Sequence, residues 1–254
     1  MSDWRSLTGA IFPDWPAPRN VCALATNRAG GVSIGNYAGL NLGGHVGDDP
    51  SAVEENRRRL AAVLPASPVW LNQVHGIEVQ LIGKEAQRVP INADASLTRT
   101  PEAICAIQTA DCLPVLFCDV DGTVVAAAHA GWRGLCEGVL EATLAAMQVD
   151  SSRIMAWMGP AIGPNAFVVG AEVRDAFVAV DVSAARAFSP SAQTGKWMAD
   201  IFLLARLRLW RAGLTSIYGG GVCTVSDPAR FFSHRRDRVS GRQASLIWLD
   251  RAGD

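Results

Sequence analysis

The sequence predicts an α+β (mixed α/β) fold, with β-sheets flanked by helices in a single compact domain. Three observations point there. Short apolar runs of strand length are interspersed with amphipathic stretches of helical period. A "V-D-G-T" signal between two such runs marks an antiparallel hairpin. No internal repeat and no low-complexity linker divides the 254 residues, so one domain spanning 1–254 is expected.

The elements follow in order. "VCALATN" reads as a strand leading into "RAGGVSIGNYAGLNLGGHVGDDP", a glycine-rich loop of a length that is usually functional or disordered. "DDPSAVEENRRRLAAVL" carries a helix start, with Asp49 as N-cap and Pro50 in the first turn. "PVWLNQVHG" and "EVQLIG" are two short strands, with His75 where they join. "AICAIQTA", "PVLFCDV" and "TVVAAAHA" read as further strands. "GLCEGVLEATLAAM" reads as one amphipathic helix with Leu135, Val139 and Met147 turned inward. "IMAWMG" is a strand before the rigid loop "PAIGPNAF". Helices "AEVRDAFVAV" and "ADIFLLARLRLWRAG" come next, the second closed by Gly213. "RQASLIWLD" ends the chain as a strand of alternating faces.

Composition excludes several classes. A net charge of −1 gives no general attraction to nucleic acid or to an anionic membrane. No apolar run approaches the roughly 18 residues that span a bilayer, and the first residues lack a signal-peptide pattern. The six cysteines form no CxxC pair, which fits reduced thiols in a cytoplasm. A cytoplasmic monomer or homodimer acting on small molecules is expected.

The hairpin gives the sharpest geometric inference. With a two-residue type I′ turn at Asp121–Gly122, His129 lies opposite Pro114 and Cys112 opposite Gly131. Alternation then puts Cys112 and His129 on one face as diagonal neighbours, ~7–8 Å apart at Cα. Three readings compete: a buried thiol beside a core histidine, a Cys–His nucleophile pair, or a zinc site that needs a further donor. Gly131 and Gly134 bracket Trp132 and Arg133 where strand gives way to helix, a place suited to an anion. That context favours a pocket over plain core. Asp111 falls on the opposite strand face from Cys112, away from direct ligation. Histidines 45, 75 and 234 are the remaining imidazoles, in the glycine-rich loop, at a strand end and among arginines.

"LNQVHG", "TADCLPVLF", "AAHAGWRG" and "GPAIGP", in this order, resemble the successive signatures of the laccase-domain family, the so-called multicopper polyphenol oxidases. "GGVSIGNYAGLNLGGHVGDDP" and "FFSHRRDRVSGRQASLIWL" match its two ends, so the resemblance runs from about Thr26 to Leu249 within a motif-bearing region of about 22–250. It implies a compact α+β fold related to bacterial cysteine-dependent toxins, and a zinc ion held by His75, Cys112 and His129. It also implies phosphorolysis of adenosine, inosine, guanosine and methylthioadenosine, together with deamination of adenosine. Asn27, where many members read threonine, and Arg238, Val239 and Ser240 depart from the family pattern without touching the ligands.

Chemistry narrows the family's names. A blue-copper plus trinuclear centre needs on the order of ten histidines. This chain has four, so copper remains possible only outside a multicopper centre. One zinc per chain with an open position would lower the pKa of a bound water to about 7. The His-x-Glu and Pro-Cys-x-x-Cys motifs of the zinc deaminases are absent. Arg133 is the first candidate for phosphate, followed by Arg28, Arg235 and Arg236, and all three ligands and Arg133 are catalytic candidates. Asn41, His45, Gln73 and Asn72 are candidates for ribose or base. A Cys112–His129 hydrolase or amidase on cell-wall precursors is the rival enzyme, and a metal-binding protein without nucleoside activity is the non-enzymatic alternative.

Overall fold

The long apolar runs Leu113–Asp119 (β6) and Val125–Ala130 (β7) pair antiparallel and are buried along their whole length. In this computed structural model residues 3–83 and 91–251 are described, so the two ends of the expected 1–254 span lie outside them. The β6–β7 hairpin sits at the centre of a six-stranded sheet. On one side come Ile154–Met158 (β8) and Ser216–Gly219 (β12), on the other Ala95–Thr98 (β4) and Val79–Leu81 (β3). A second sheet has the order Val21–Ala25 (β1), Gln243–Leu249 (β13), Cys105–Thr109 (β5), Val69–Trp70 (β2). Val168–Gly170 (β9), Phe188–Pro190 (β10) and Lys196–Ala199 (β11) make a small third sheet.

The two large sheets pack face to face. Ala23, Ile107 and Ile247 of the four-stranded sheet meet Leu116, Ala127 and Trp157 of the six-stranded one in a single apolar cluster. The outer face of the six-stranded sheet, through Val115, Phe117 and Ala128, is covered by helices Trp132–Glu137 (α2), Val139–Met147 (α3), Ala171–Val180 (α4) and Ile201–Arg211 (α5). The outer face of the four-stranded sheet, through Leu24, Leu246 and Trp248, is covered by Pro50–Val63 (α1) and by Leu40 and Leu42 of the glycine-rich loop. The result is a helix–sheet–sheet–helix stack. Strands covered on both faces read as continuous apolar runs, which is why β6 and β7 were so legible. Among the described residues no helix is long and apolar enough to cross a membrane.

Several expectations are corrected. The hairpin turn is a four-residue loop rather than a type I′ turn. Gly122 has φ +66° but Asp121 does not share a positive φ, which type I′ requires of both. The Asp119 carboxylate closes the loop by accepting the N–H groups of Thr123 (2.7 Å) and Val124 (3.0 Å) and the Thr123 hydroxyl (2.7 Å). One residue is added on each side, so the register survives and Pro114 still pairs with His129. The single helix expected over "GLCEGVLEATLAAM" is broken at Gly138, whose φ of +109° ends α2 and begins α3. Strand β13 does not alternate between core and solvent, because both its faces are buried. Strands β4 and β9–β12 and the short helix His234–Asp237 (α6) had no reading of their own. Asp49 does cap α1, accepting the Ser51 N–H at 2.9 Å ahead of Pro50.

Candidate metal centre and adjoining cavities

The chain crosses from β5 in one sheet to β6 in the other through Ala110–Cys112, and the cysteine sits at that seam. Odd-numbered β7 residues face the inter-sheet layer, as Val125 and Ala127 do, so His129 enters it from the end of its strand. His75 comes from the loop between β2 and β3. One ligand atom from each of His75, Cys112 and His129 lies within 4.8 Å of the others, and the three could hold a metal ion. Cys112 Sγ is 3.8 Å from His75 Nε2, and the two imidazoles meet edge to face at 4.8 Å.

Asp94, at the start of β4, organises the cluster. Its fully buried carboxylate bonds His129 Nδ1 at 2.8 Å, leaving Nε2 as the free nitrogen of that ring. It also accepts the backbone N–H groups of Val74 (3.1 Å), His75 (2.9 Å) and Gly76 (2.7 Å). That cage holds His75 at φ +63°, a left-handed conformation that a non-glycine residue seldom adopts. A carboxylate behind a ligating histidine fixes its tautomer and ring plane. The donor set and this support both fit a metal with two nitrogens and one sulfur.

The two glycines of "AGWRG" gain a reason here. A Cβ on Gly131 would lie 2.7 Å from His75 Cδ2 and 3.2 Å from Cys112 Sγ, and one on Gly134 would lie 2.7 Å from the Gly76 carbonyl. They let the His75 loop approach, and α2 is only six residues long.

Electrostatics follow the same geometry. Burial pushes the Cys112 thiol up, but the charge of His129 and hydrogen bonds from both imidazoles outweigh it and bring it down to about 6. Burial pulls His129 down, and the Cys112 charge with the Asp94 bond reverses this, raising it to about 9. Asp94 is pushed up by burial yet held below the usual carboxylate range, chiefly by its bond to His129 and the N–H groups it gathers.

Cys112 forms part of the wall of two adjoining cavities, of about 200 and 280 Å³. Together they reach the roughly 300–1,000 Å³ usual for small-molecule sites. The first is apolar, walled by Trp132, Ile162, Phe167 and Ile201, with Arg235 and His234 at its edge. The second is lined by polar residue types: beside the three donors come His45, Gln73, Thr109 and Arg242, and it shares His234 with the first.

The candidates of the sequence therefore separate. His45, Gln73, His75, Cys112 and His129 line one cavity, and Arg235 lines the other. Gln73 spends its amide on the backbone N–H and C=O of Gln108, at 2.8 Å each. Arg235 donates to the Val168 carbonyl (2.8 Å) and lies over Phe167. Arg28, Asn41 and Arg133 line neither cavity. Arg28 braces the Ala38 and Pro228 carbonyls, and Asn41, fully buried, ties Gly43 and Arg242 N–H groups to Asp48. Arg133 is exposed, its guanidinium over its neighbour Trp132. Arg236 is taken up by the Thr224, Val225 and Phe231 carbonyls, and Asn72 by Asn92. Asp111 points away from the cluster, accepting from Thr224, Ser233 and the Arg235 N–H.

Sequence reasoning missed Asp94, Thr109 and Arg242. Each depends on strand pairing: Asp94 lies next to the Ala95–Ala128 pair, and Gln243 pairs with Thr109, which brings Arg242 to the seam. A single sequence carries no signal for those partners. Thr109 Oγ1 is buried without any hydrogen-bond partner, a state costing about 1–3 kcal/mol unless a ligand or water meets it.

A three-donor cluster at the seam of two stacked sheets, opening on paired cavities, defines a candidate metal-centred active site. Comparison gives the family: the chain belongs to that described as multi-copper polyphenol oxidoreductase laccase, matched over residues 22–250. It is 58% identical to a purine nucleoside phosphorylase of Pseudomonas aeruginosa over 94% of this chain and 98% of that one. The purine nucleoside phosphorylase YfiH of Escherichia coli is 54% identical, again over 94% and 98%. A solved Neisseria meningitidis structure superposes with a TM-score of 0.91 at 52% identity, covering 96% of this chain and all (100%) of that one. YlmD of Geobacillus stearothermophilus superposes at 0.82 with 32% identity, over 93% and 94%.

Proposed function

We propose that this chain is a metal-dependent purine nucleoside phosphorylase that holds one zinc ion on His75, Cys112 and His129. Its substrates are adenosine, inosine, guanosine and methylthioadenosine, cleaved with phosphate to the base and a ribose 1-phosphate, and it also deaminates adenosine. The observation that carries this reading is the position of the donor cluster between an aromatic, apolar cavity and a polar one. The cavity walled by Trp132, Ile162, Phe167 and Ile201 suits a purine base, while the one lined by polar residues suits a sugar and an anion. Relatives named purine nucleoside phosphorylase over nearly the full length support it.

When bound, the ion would supply Lewis acidity beside the reacting bond. The chain's own residues do the rest. Asp94 keeps His129 Nε2 turned to the cluster, the glycine-131 gap admits His75, and the apolar walls exclude water from the base. Two nitrogens and a sulfur suit zinc or copper, and four histidines leave no room for a multicopper centre. The test is metal analysis of purified protein together with chromatography of adenosine and inosine reactions, with and without phosphate. The expected result is about one zinc per chain and phosphate-dependent release of adenine and hypoxanthine. Metal-loaded protein without nucleoside activity would overturn the reading.

A second reading has its own observation. In metal-stripped protein, Cys112, His129 and Asp94 form a thiol–imidazole–carboxylate series of the kind that activates cysteine nucleophiles. It would suit an amidase on cell-wall precursors. Iodoacetamide sensitivity of activity in stripped protein, with an acyl group found on Cys112, would favour it over phosphorolysis.

A further inference from the structure

We infer that Arg242, His45 and Thr109 form a binding site for a tetrahedral oxyanion, the site at which phosphate meets the proposed phosphorylase. The inference rests on that functional reading and adds to it the residues that take the anion.

Three independent features converge in the polar cavity. Arg242 is partly buried, yet among the described residues it has no carboxylate partner. Among the described residues only its Nη1 is engaged, by the carbonyls of Ser240 and Gly241 (2.9 Å each) and the Ser240 hydroxyl. Its Nε and Nη2 are left to other partners. Two planar N–H donors on a half-buried guanidinium match two oxygens of a phosphate.

The second feature is the company Arg242 keeps: His45 lines the same cavity, and a neutral imidazole still donates one N–H. His45 lies close enough to Arg242, Arg57 and His129 to be held below the usual imidazole range, after burial as the first cause. Arg57, outside the cavity lining, gives its Nε and Nη2 to the Leu42 carbonyl and stacks on Trp70, with no carboxylate partner among the described residues.

The third is the Thr109 hydroxyl. It is 98% buried (2% exposed), lines the same cavity and has no partner. A phosphate oxygen reaching it would accept a hydrogen bond from it. Arginines 28, 133 and 236 offer no comparable site, for their guanidinia are bonded to carbonyls or stacked outside the cavity.

Two sources share this chemistry, inorganic phosphate and the phosphate end of a nucleotide, and the experiment separates them. Calorimetry on metal-loaded protein would titrate inorganic phosphate, adenosine and adenosine 5′-monophosphate into wild type, Arg242→Gln, Arg242→Lys and Thr109→Val. Circular dichroism and metal content would verify that each variant is folded and loaded. Phosphate affinity should fall about 10- to 100-fold in Arg242→Gln, recover in part in Arg242→Lys, and fall about 5-fold in Thr109→Val. The KM for phosphate should rise in parallel while the KM for nucleoside changes little. A site for inorganic phosphate binds the monophosphate no better than adenosine; a nucleotide site favours the monophosphate, and that advantage is lost in Arg242→Gln. Unchanged binding of both anions in a folded Arg242→Gln protein would overturn the assignment. Wild type that binds phosphate through Arg242 but cleaves no nucleoside would overturn the phosphorylase reading and leave the oxyanion site standing.

Discussion

Cys112, just before β6, and Cys118, near its far end, are six residues apart, and their thiols could hardly differ more. Cys118 is fully buried among Leu116, Val125 and Ala127, where burial and the neighbouring Asp119 charge push its thiol up to about 12. Cys112 stands at the seam, where two imidazoles bring it down to about 6 against the upward push of its own burial. Residue type and strand face are shared; only the company differs. The inter-sheet layer thus holds a thiol that stays protonated deep inside it and one poised to ionise at its end.

The comparison can be broken at several points, the largest effect first. Cys112→Ala is expected to abolish metal retention and phosphorolysis, a loss well beyond the roughly 10–100-fold that follows removal of a supporting partner. Cys118→Ala should leave both intact and lower stability by about 1–2 kcal/mol, read from urea unfolding. Equal losses in the two variants would erase the contrast.

Asp94→Asn should weaken metal binding by about 10–100-fold, measured by competition with a chromophoric chelator. Gly131→Ala drives a methyl into His75 and Cys112, and a similar loss of metal is expected. Retained affinity in either variant would show that the cluster is not held by its surroundings.

Alkylation reads the contrast directly. A thiolate reacts and a thiol does not, so in metal-stripped protein the rate at Cys112 should climb as pH rises through about 6 and then level off. Cys118, raised to about 12, should stay unmodified through pH 8. Peptide mapping after iodoacetamide at pH 5, 6, 7 and 8 checks both halves, and metal loading should protect Cys112.

How far the sequence carried these conclusions depended on distance along the chain. Two aspartates show this. Asp119 gathers N–H groups only four and five residues away, and the hairpin was legible from "DVDGTV" even though its turn was assigned two residues too short. Asp94 gathers partners 18 to 20 residues before it and His129, 35 residues after it. Nothing local to "NADASL" announces that role. The face shared by Cys112 and His129 followed from alternation and register, which are local. His75 as their companion came only by resemblance, because a loop between two sheets has no period to read. Arg133 drew attention by its place at a helix start, while Arg242, on a strand whose partner was unknown, did not.

The crossing of the chain between the sheets has a mechanical consequence. His129 and Asp94 belong to the six-stranded sheet, whereas Cys112 rides the passage from the other sheet and His75 hangs from a loop that leaves it. An ion gripped by these three side chains would work as a rivet through two plates, clamping them at the seam. Such an ion would then carry part of the load of the fold as well as any chemistry it serves.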